Sequence, residues 1–61
     1  MQPPRILNFL SDYSTAEYIR TVKDVWIYKY TKAIENNGKE FDMTEKRINY
    51  LISVRLIKIE E

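Results

Sequence analysis

The sequence predicts an all-α fold, a small three-helix domain with a short, a long and a medium helix. Two helix-capping signatures and two runs of apolar side chains at helical spacing carry this prediction. With 61 residues the chain makes one domain at most, so we expect residues 1–61 to form a single unit. The predicted helices span about 4–11, 15–36 and 44–58. The alternative is an α+β fold with a hairpin around Asn37-Gly38.

Composition limits the classes of function. The chain has no Cys, no His and one Gly, which rules out disulfides, the usual zinc ligands and Gly-rich phosphate loops. Its hydrophobic fraction of 44% is too high for a disordered segment, and its net charge of +1 predicts no nucleic-acid or membrane-surface binding. No apolar run approaches the roughly 20 residues of a membrane span. The start lacks the pattern of a signal peptide, so we expect an intracellular, cytoplasmic protein.

The short predicted helix opens the fold. Pro4 suits the first helical position, where its missing N–H costs no hydrogen bond. Ile6, Leu7 and Leu10 follow at helical spacing, which predicts an apolar lid over the core.

The long predicted helix begins at a capping box. Ser14 can accept a hydrogen bond from the N–H of Glu17, and Glu17 can reach back to the N–H of Ser14. Tyr13 and Tyr18 occupy the positions of a hydrophobic staple. Apolar side chains then recur on one broad side, centred near Trp26: Tyr18, Ile19, Val22, Val25, Trp26, Tyr30 and Ala33. Gly38 can take the left-handed conformation that ends a helix.

The same stretch also has a strand pattern. Val22 to Thr31 is rich in β-branched and aromatic residues, which favour strands, and Asn37-Gly38 is a preferred pair for a tight hairpin turn. In that arrangement one face carries five large side chains: Trp26, Tyr28, Tyr30, Phe41 and Met43. The helix is preferred because nothing between Ser14 and Asn36 stops a helix that has begun.

The last predicted helix begins at one of two caps. Asp42 with Glu45 makes a capping box; alternatively Thr44 is the cap, with Met43 and Ile48 as its staple. Two apolar stripes follow on opposite sides of this helix: Ile48, Leu51, Ile52, Leu56 and Ile59 on one, and Tyr50, Val54 and Ile57 on the other. Two stripes exceed what an isolated small domain needs from its terminal helix. The end of this segment, Leu56-Ile57-Lys58-Ile59-Glu60, also suits a short strand.

No combination of residues predicts catalysis. Catalysis needs a group whose pKa can be set near neutrality, or a nucleophile with a base beside it. Without His or Cys the candidates are carboxylates, Lys, Tyr and Ser, and capping accounts for Ser14 and for the pair Asp42 and Glu45. We therefore expect no enzyme activity, no cofactor, no metal and no small-molecule substrate.

The surplus of apolar and aromatic side chains predicts a partner chain. Trp and Tyr are enriched at interface hot spots, and the chain has one Trp and five Tyr. Tyr28 falls on the polar side of the long predicted helix, while Tyr50, Val54 and Ile57 form the second stripe of the last one. We predict that these four residues bind another protein chain or a second copy of this one.

A basic strip gives the alternative function. From Lys46 to Lys58 the basic residues stand without an acidic one. On a helix Arg47, Arg55 and Lys58 lie within about 80° of one another. Such a strip can contact phosphates, so the alternative is a small DNA-binding protein or transcription regulator.

Two short runs resemble a known family. Arg55-Leu56-Ile57-Lys58-Ile59-Glu60 resembles the R-L-x-K-I-E run in a core helix of replicative GINS-complex subunits. Arg47-Ile48-Asn49-Tyr50 is similar to an R-I-x-Y stretch upstream in that helix, although the separation of the two runs departs from the family's register. The likeness covers under a third of the chain, and the same residues suit the end of a winged-helix domain. It implies a place in replication or transcription machinery.

The function predicted from these features is a non-catalytic protein–protein interaction module. We expect an accessory or adaptor subunit that docks on a larger assembly or on itself.

Overall fold

The chain forms a five-stranded antiparallel sheet with one helix across one face, in a computed structural model that describes residues 2–60. In chain order the elements are β1 (Ile6–Phe9), β2 (Thr15–Val22), β3 (Val25–Lys32), β4 (Glu40–Met43), α1 (Glu45–Ser53) and β5 (Ile57–Glu60). The strands lie side by side in the order β4-β3-β2-β1-β5. The first four strands therefore form a meander, and α1 carries the chain from one edge of the sheet to the other.

The prediction of an all-α, three-helix fold is wrong. β1 replaces the short helix expected over 4–11, and the hairpin of β2 and β3 replaces the long helix expected over 15–36. β-Branched and aromatic side chains lose rotamer freedom in a helix and pack well on a pleated sheet, so this composition outweighed the capping signature. The alternative strand arrangement describes the pairing of β3 with β4, in which Tyr28 faces Phe41 and Trp26 faces Met43. The connection between these two strands is a loop over 33–39 rather than a tight turn at Asn37-Gly38.

Ser14 turns the chain between two strands instead of capping a helix. Its N–H and its hydroxyl both donate to Asp12 Oδ1, at 3.1 and 2.7 Å, and its carbonyl accepts from the N–H of Phe9 at 2.8 Å. These two hydrogen bonds hold the pKa of the Asp12 carboxyl below its usual value, and the bond from the Ser14 hydroxyl contributes more than the bond from the amide. The buried Ser14 is thereby fully used within the β1–β2 connection.

The tightest turn of the sheet joins β2 to β3. Val22 pairs with Val25, so only Lys23 and Asp24 form the turn, with φ of 50° and 65°. Two positive φ values in a two-residue hairpin mark a type I′ turn, for which Asn-Gly is the usual pair. The tight turn thus lies at Lys23-Asp24, which is not a typical turn pair, whereas the typical pair Asn37-Gly38 lies in a longer loop.

α1 begins at the second of the two predicted caps. The Thr44 side chain accepts from the N–H of Arg47 at 3.2 Å, and Met43 and Ile48 are both buried at the staple positions. The helix ends at Ser53 instead of continuing to residue 58, because Arg55 takes a left-handed conformation with φ of 61°.

The end of α1 is a Schellman motif. The N–H of Leu56 donates to the carbonyl of Leu51 at 2.9 Å, and the N–H of Arg55 donates to that of Ile52 at 3.0 Å. This turn releases the chain into β5 and leaves Leu56 beside Leu51.

The core lies between α1 and one face of the sheet, which we call the inner face. Six hydrophobic residues are buried there: Leu7, Ala16, Tyr28, Met43, Ile48 and Ile57. Half-buried side chains pack around them: Phe9, Tyr18, Trp26, Tyr30, Phe41, Leu51 and Ile59. The helical spacing predicts a core of five side chains: Trp26, Val22, Ile19, Leu51 and Ile48. Ile48 is buried, and Leu51 and Trp26 are half-buried against the core, as expected. The prediction is wrong for Val22 and Ile19, which are exposed.

The opposite, outer face of the sheet carries mostly charged side chains, with Ile6 and Ile27 among them. Glu17, Lys29 and Glu40 stand opposite one another on β2, β3 and β4. Arg20 and Glu40 form an ion pair at 2.6 Å, with both side chains about half exposed. Such exposed pairs add little stability, so the face is suited to contact with water.

Candidate functional site

α1 is too short to cover the inner face of the sheet. The helix has nine residues and runs diagonally, because β4 ends at Met43, level with Trp26, whereas β5 starts at Ile57, level with Phe9 at the far end of the sheet. On the β4 side of this diagonal an open groove of about 400 Å³ remains. We call it the aromatic groove.

Three rings from three strands form the floor of the aromatic groove. Phe9 of β1, Tyr30 of β3 and Phe41 of β4 lie with their centroids 4.6 to 6.1 Å apart. Rings at such distances attract one another in tilted and edge-to-face arrangements, so each ring holds the other two in place. The floor is therefore a preformed apolar surface.

The walls of the groove come from the helix and from the turn that follows it. Leu51 of α1 and Leu56 of the Schellman turn supply apolar walls, while Arg47 and Ser11 lie at the rim. Leu56 is 46% exposed. Apolar walls with a few polar groups at the rim are typical of binding sites.

Tyr28 separates the groove from the covered half of the inner face. Its side chain is fully buried, its ring stacks on Phe41 at 6.0 Å, and its hydroxyl donates to the carbonyl of Pro4 at 2.6 Å. Burial, with a smaller contribution from the neighbouring Tyr18, raises the pKa of the Tyr28 hydroxyl to about 12. This residue ties β3 to the segment before β1.

The structure does not bring the four predicted partner-binding residues onto one surface. Tyr28 and Ile57 are buried in the core, so the premise that they are exposed is wrong. Tyr28 does not lie on the polar side of a helix, because on β3 it points to the inner face together with Tyr30. Tyr50 and Val54 are exposed, at 62% and 43%, and a binding role for them stays a prediction.

The predicted basic strip does not form either. Arg47 is on α1 at the groove, Arg55 is in the turn after the helix, and Lys58 is on β5. Because Ile57 and Ile59 of β5 pack against the core, Lys58 projects from the outer face. The resemblance to GINS-complex subunits placed residues 47–60 on one helix, and that expectation is wrong because α1 ends at Ser53.

The floor of the aromatic groove is not among the sites predicted from the sequence. Tyr30 and Phe41 belonged to the alternative strand pattern, so their common face was visible as a two-residue alternation. Phe9 had no such signal, because it reaches the groove only through the pairing of β1 with β2 and β5.

Within residues 2–60 no group of three or more acidic side chains is placed to hold a metal ion. The single helix of that same part of the chain falls short of the length and apolar character that crossing a membrane requires. Comparison of the chain with protein-family models, with curated proteins and with solved structures found no match.

Proposed function

We propose that this protein is a non-catalytic interaction module, an accessory or adaptor subunit that binds a segment of another protein in the aromatic groove. The observation that carries the proposal is the floor of three half-buried rings that α1 leaves uncovered. Apolar surface that a small domain keeps open in a concave site is a common mark of a binding site.

The chemistry of the groove describes the segment that it would take. Its volume of about 400 Å³ is at the lower end of the roughly 300–1,000 Å³ of ligand pockets, which suits a few side chains from a short segment. An apolar or aromatic side chain would lie on Phe9, Tyr30 and Phe41. The one ion pair among the described residues is Arg20–Glu40, so Arg47 at the rim can pair with an acidic residue of the partner.

The test is a quantitative capture experiment with variants that alter only the groove. Tagged protein is incubated with lysate of the source cell, with and without nuclease. The lysate contains the cytoplasmic proteins, which the sequence predicts as the partners' compartment. Ser11→Trp fills the groove from its rim, and Ile34→Trp adds the same ring at a 94% exposed position outside it. Arg47→Glu reverses the rim charge, and Lys46→Glu makes the same change one residue away, outside the groove.

These substitutions leave the helix intact. Glu at position 47 would complete a capping box with Thr44, which favours the start of α1. We expect the wild type and both control variants to capture the same protein in stoichiometric amount after nuclease treatment. Ser11→Trp and Arg47→Glu should each reduce that capture by about tenfold or more, as loss of an interface hot spot does. Equal capture by all five proteins, or capture that nuclease abolishes, would overturn the proposal.

A further inference from the structure

The two edge strands of the sheet differ in charge pattern. On the outer face of the sheet β4 presents Glu40 and Asp42, whereas β5 presents Lys58 and Glu60. Within residues 2–60 each of these strands pairs on one side only, with β3 and with β1 respectively. Their other sides therefore offer unpaired backbone groups, which a further strand can use.

The hydrogen bonds of the sheet show which groups of β5 are free. The N–H of Leu10 donates to the carbonyl of Leu56 at 2.9 Å, so Leu10 and Leu56 form a hydrogen-bonded pair. Asn8 with Lys58 and Ile6 with Glu60 are the second and fourth pairs along the same ladder. In an antiparallel ladder hydrogen-bonded and non-bonded pairs alternate. Lys58 and Glu60 thus direct their backbone groups to β1, and Ile57 and Ile59 direct theirs away from the sheet.

We propose that β5 pairs with β5 of a second copy of this chain, antiparallel and centred on Ile59, to form a continuous ten-stranded sheet. In this register Ile59 faces its own copy with both N–H and C=O groups available. Each Lys58 then faces Glu60 of the other chain, twice in the symmetric pair. Because paired positions share a face of the sheet, both opposite-charge contacts lie on the outer face.

The charges select this arrangement over its rivals. Centring the pair on Lys58 places Lys58 against Lys58 of the second copy. Symmetric pairing of β4 with itself, centred on Glu40, Phe41 or Asp42, sets acidic side chains against acidic ones. Opposite charges across strands stabilise a sheet and like charges destabilise it. Pairing β5 with β4 of a second copy offers one contact between opposite charges at best. Glu60 accepts a hydrogen bond from Asn8 Nδ2 at 3.0 Å through Oε2, which leaves its Oε1 for Lys58 of the second copy.

The contact is small, so the dimer should be weak. Four-residue strands bury less than the roughly 1,200 Å² of stable complexes, and a Kd between about 10 μM and 1 mM is expected. The inference does not depend on the aromatic groove, since the paired edge and the groove are different surfaces.

Sedimentation equilibrium of the untagged full chain over that concentration range tests the proposal. The wild type should show a reversible monomer–dimer equilibrium. Lys58→Glu alone and Glu60→Lys alone should each weaken dimerisation by about tenfold or more, because like charges then face each other twice. Lys32→Glu and Glu35→Lys make the same charge changes at exposed positions away from β5 and should leave the equilibrium unchanged.

Mixing the two variants identifies the register. A Lys58→Glu chain facing a Glu60→Lys chain has both charge contacts restored, so the mixture should dimerise more tightly than either variant does alone. The double variant Lys58→Glu/Glu60→Lys should also recover the wild-type equilibrium. A wild type that stays monomeric over the whole range would overturn the proposal. So would dimerisation that ignores both single substitutions, or a mixture that stays monomeric.

Discussion

The inner face of the sheet has a covered half and an open half, built from the same kinds of side chain. In the covered half Tyr28 is fully buried and its hydroxyl is satisfied by Pro4. In the open half Tyr30 lies two residues further along the same strand, half-buried, on the floor of the aromatic groove. The two tyrosines share a strand and a face, but Tyr28 is covered by other parts of the chain and Tyr30 is open to the groove.

This difference shows how a short chain can combine stability with an open site. A nine-residue helix that runs diagonally over five strands cannot also cover the corners of the sheet on either side of it. The buried core lies along this diagonal, from Met43 to Ile57. At the corner on the β4 side, the three rings of the aromatic groove hold one another in place with centroids 4.6 to 6.1 Å apart. The open corner should therefore matter less for folding and more for binding.

Removing one tyrosine from each half tests this division with the largest expected effect. Tyr28→Ala should lower the free energy of unfolding by about 3–5 kcal/mol, because a buried ring and its contacts are lost. Tyr30→Ala should cost roughly 1–2 kcal/mol, since that ring is already partly in water. Urea unfolding followed by circular dichroism measures both.

The core of a domain of this size rarely supplies more than roughly 3–5 kcal/mol of net stability, so Tyr28→Ala should be largely unfolded and Tyr30→Ala folded. Equal losses from the two substitutions would show that the halves are not distinct.

Tyr28→Phe sharpens the comparison by removing only the hydroxyl. The hydrogen bond of 2.6 Å to Pro4 is lost while the ring remains, so we expect a loss of about 1–2 kcal/mol. Tyr30→Phe is the matched control in the open half. A loss as large for Tyr30→Phe would contradict a special role of the Tyr28 hydroxyl.

The same hydroxyl should give the protein a characteristic response to alkaline pH. Because the pKa of Tyr28 is about 12 in the folded chain and near 10.0 when unfolded, the folded state holds this proton more tightly. Its contribution to stability is fully present below pH 10 and is lost as the pH rises from 10 to 12. Urea unfolding over this pH range should show a smaller decline for Tyr28→Phe than for the wild type; identical declines would refute the assignment.

The smallest expected effect concerns the turn that places Leu56 at the groove. Arg55 has a φ of 61° at the position of a Schellman motif where Gly is usual. Arg55→Gly should raise the free energy of unfolding by about 0.5–1 kcal/mol by relieving that conformation. Ser53→Gly, within the last turn of α1, should lower it by a similar amount, and chemical denaturation compares the two. A stabilising Ser53→Gly, or a destabilising Arg55→Gly, would contradict the turn geometry.

Two capping signatures in this sequence had different outcomes for a physical reason. Thr44 is followed by Glu, Lys, Arg and Leu among other residues, which tolerate a helix well, and α1 forms. Ser14 is followed by the β-branched and aromatic residues of β2 and β3, and a sheet forms. A cap is worth about 1 kcal/mol, which a run of sixteen strand residues easily exceeds.

Two irregularities hid the hairpin from pattern reasoning. The register shift between Tyr18 and Arg20 breaks the two-residue alternation of β2, so that its spacing resembles a helix. The turn at Lys23-Asp24 lacks the Gly or Asn from which a tight hairpin turn is predicted.

The candidate site was predictable only in part. The common face of Tyr30 and Phe41 follows from alternation along the chain. Phe9 and Leu56 join it through the placement of β1 and β5 at the far side of the sheet, which depends on tertiary packing. No local spacing in the sequence contains that information.

The division of the inner face can be measured directly by NMR with a soluble paramagnetic probe that broadens solvent-accessible protons. We predict strong broadening of the ring protons of Tyr30, Phe9 and Phe41, and protection of those of Tyr28. Protection of all four rings would mean that the aromatic groove is closed in solution and would contradict the account.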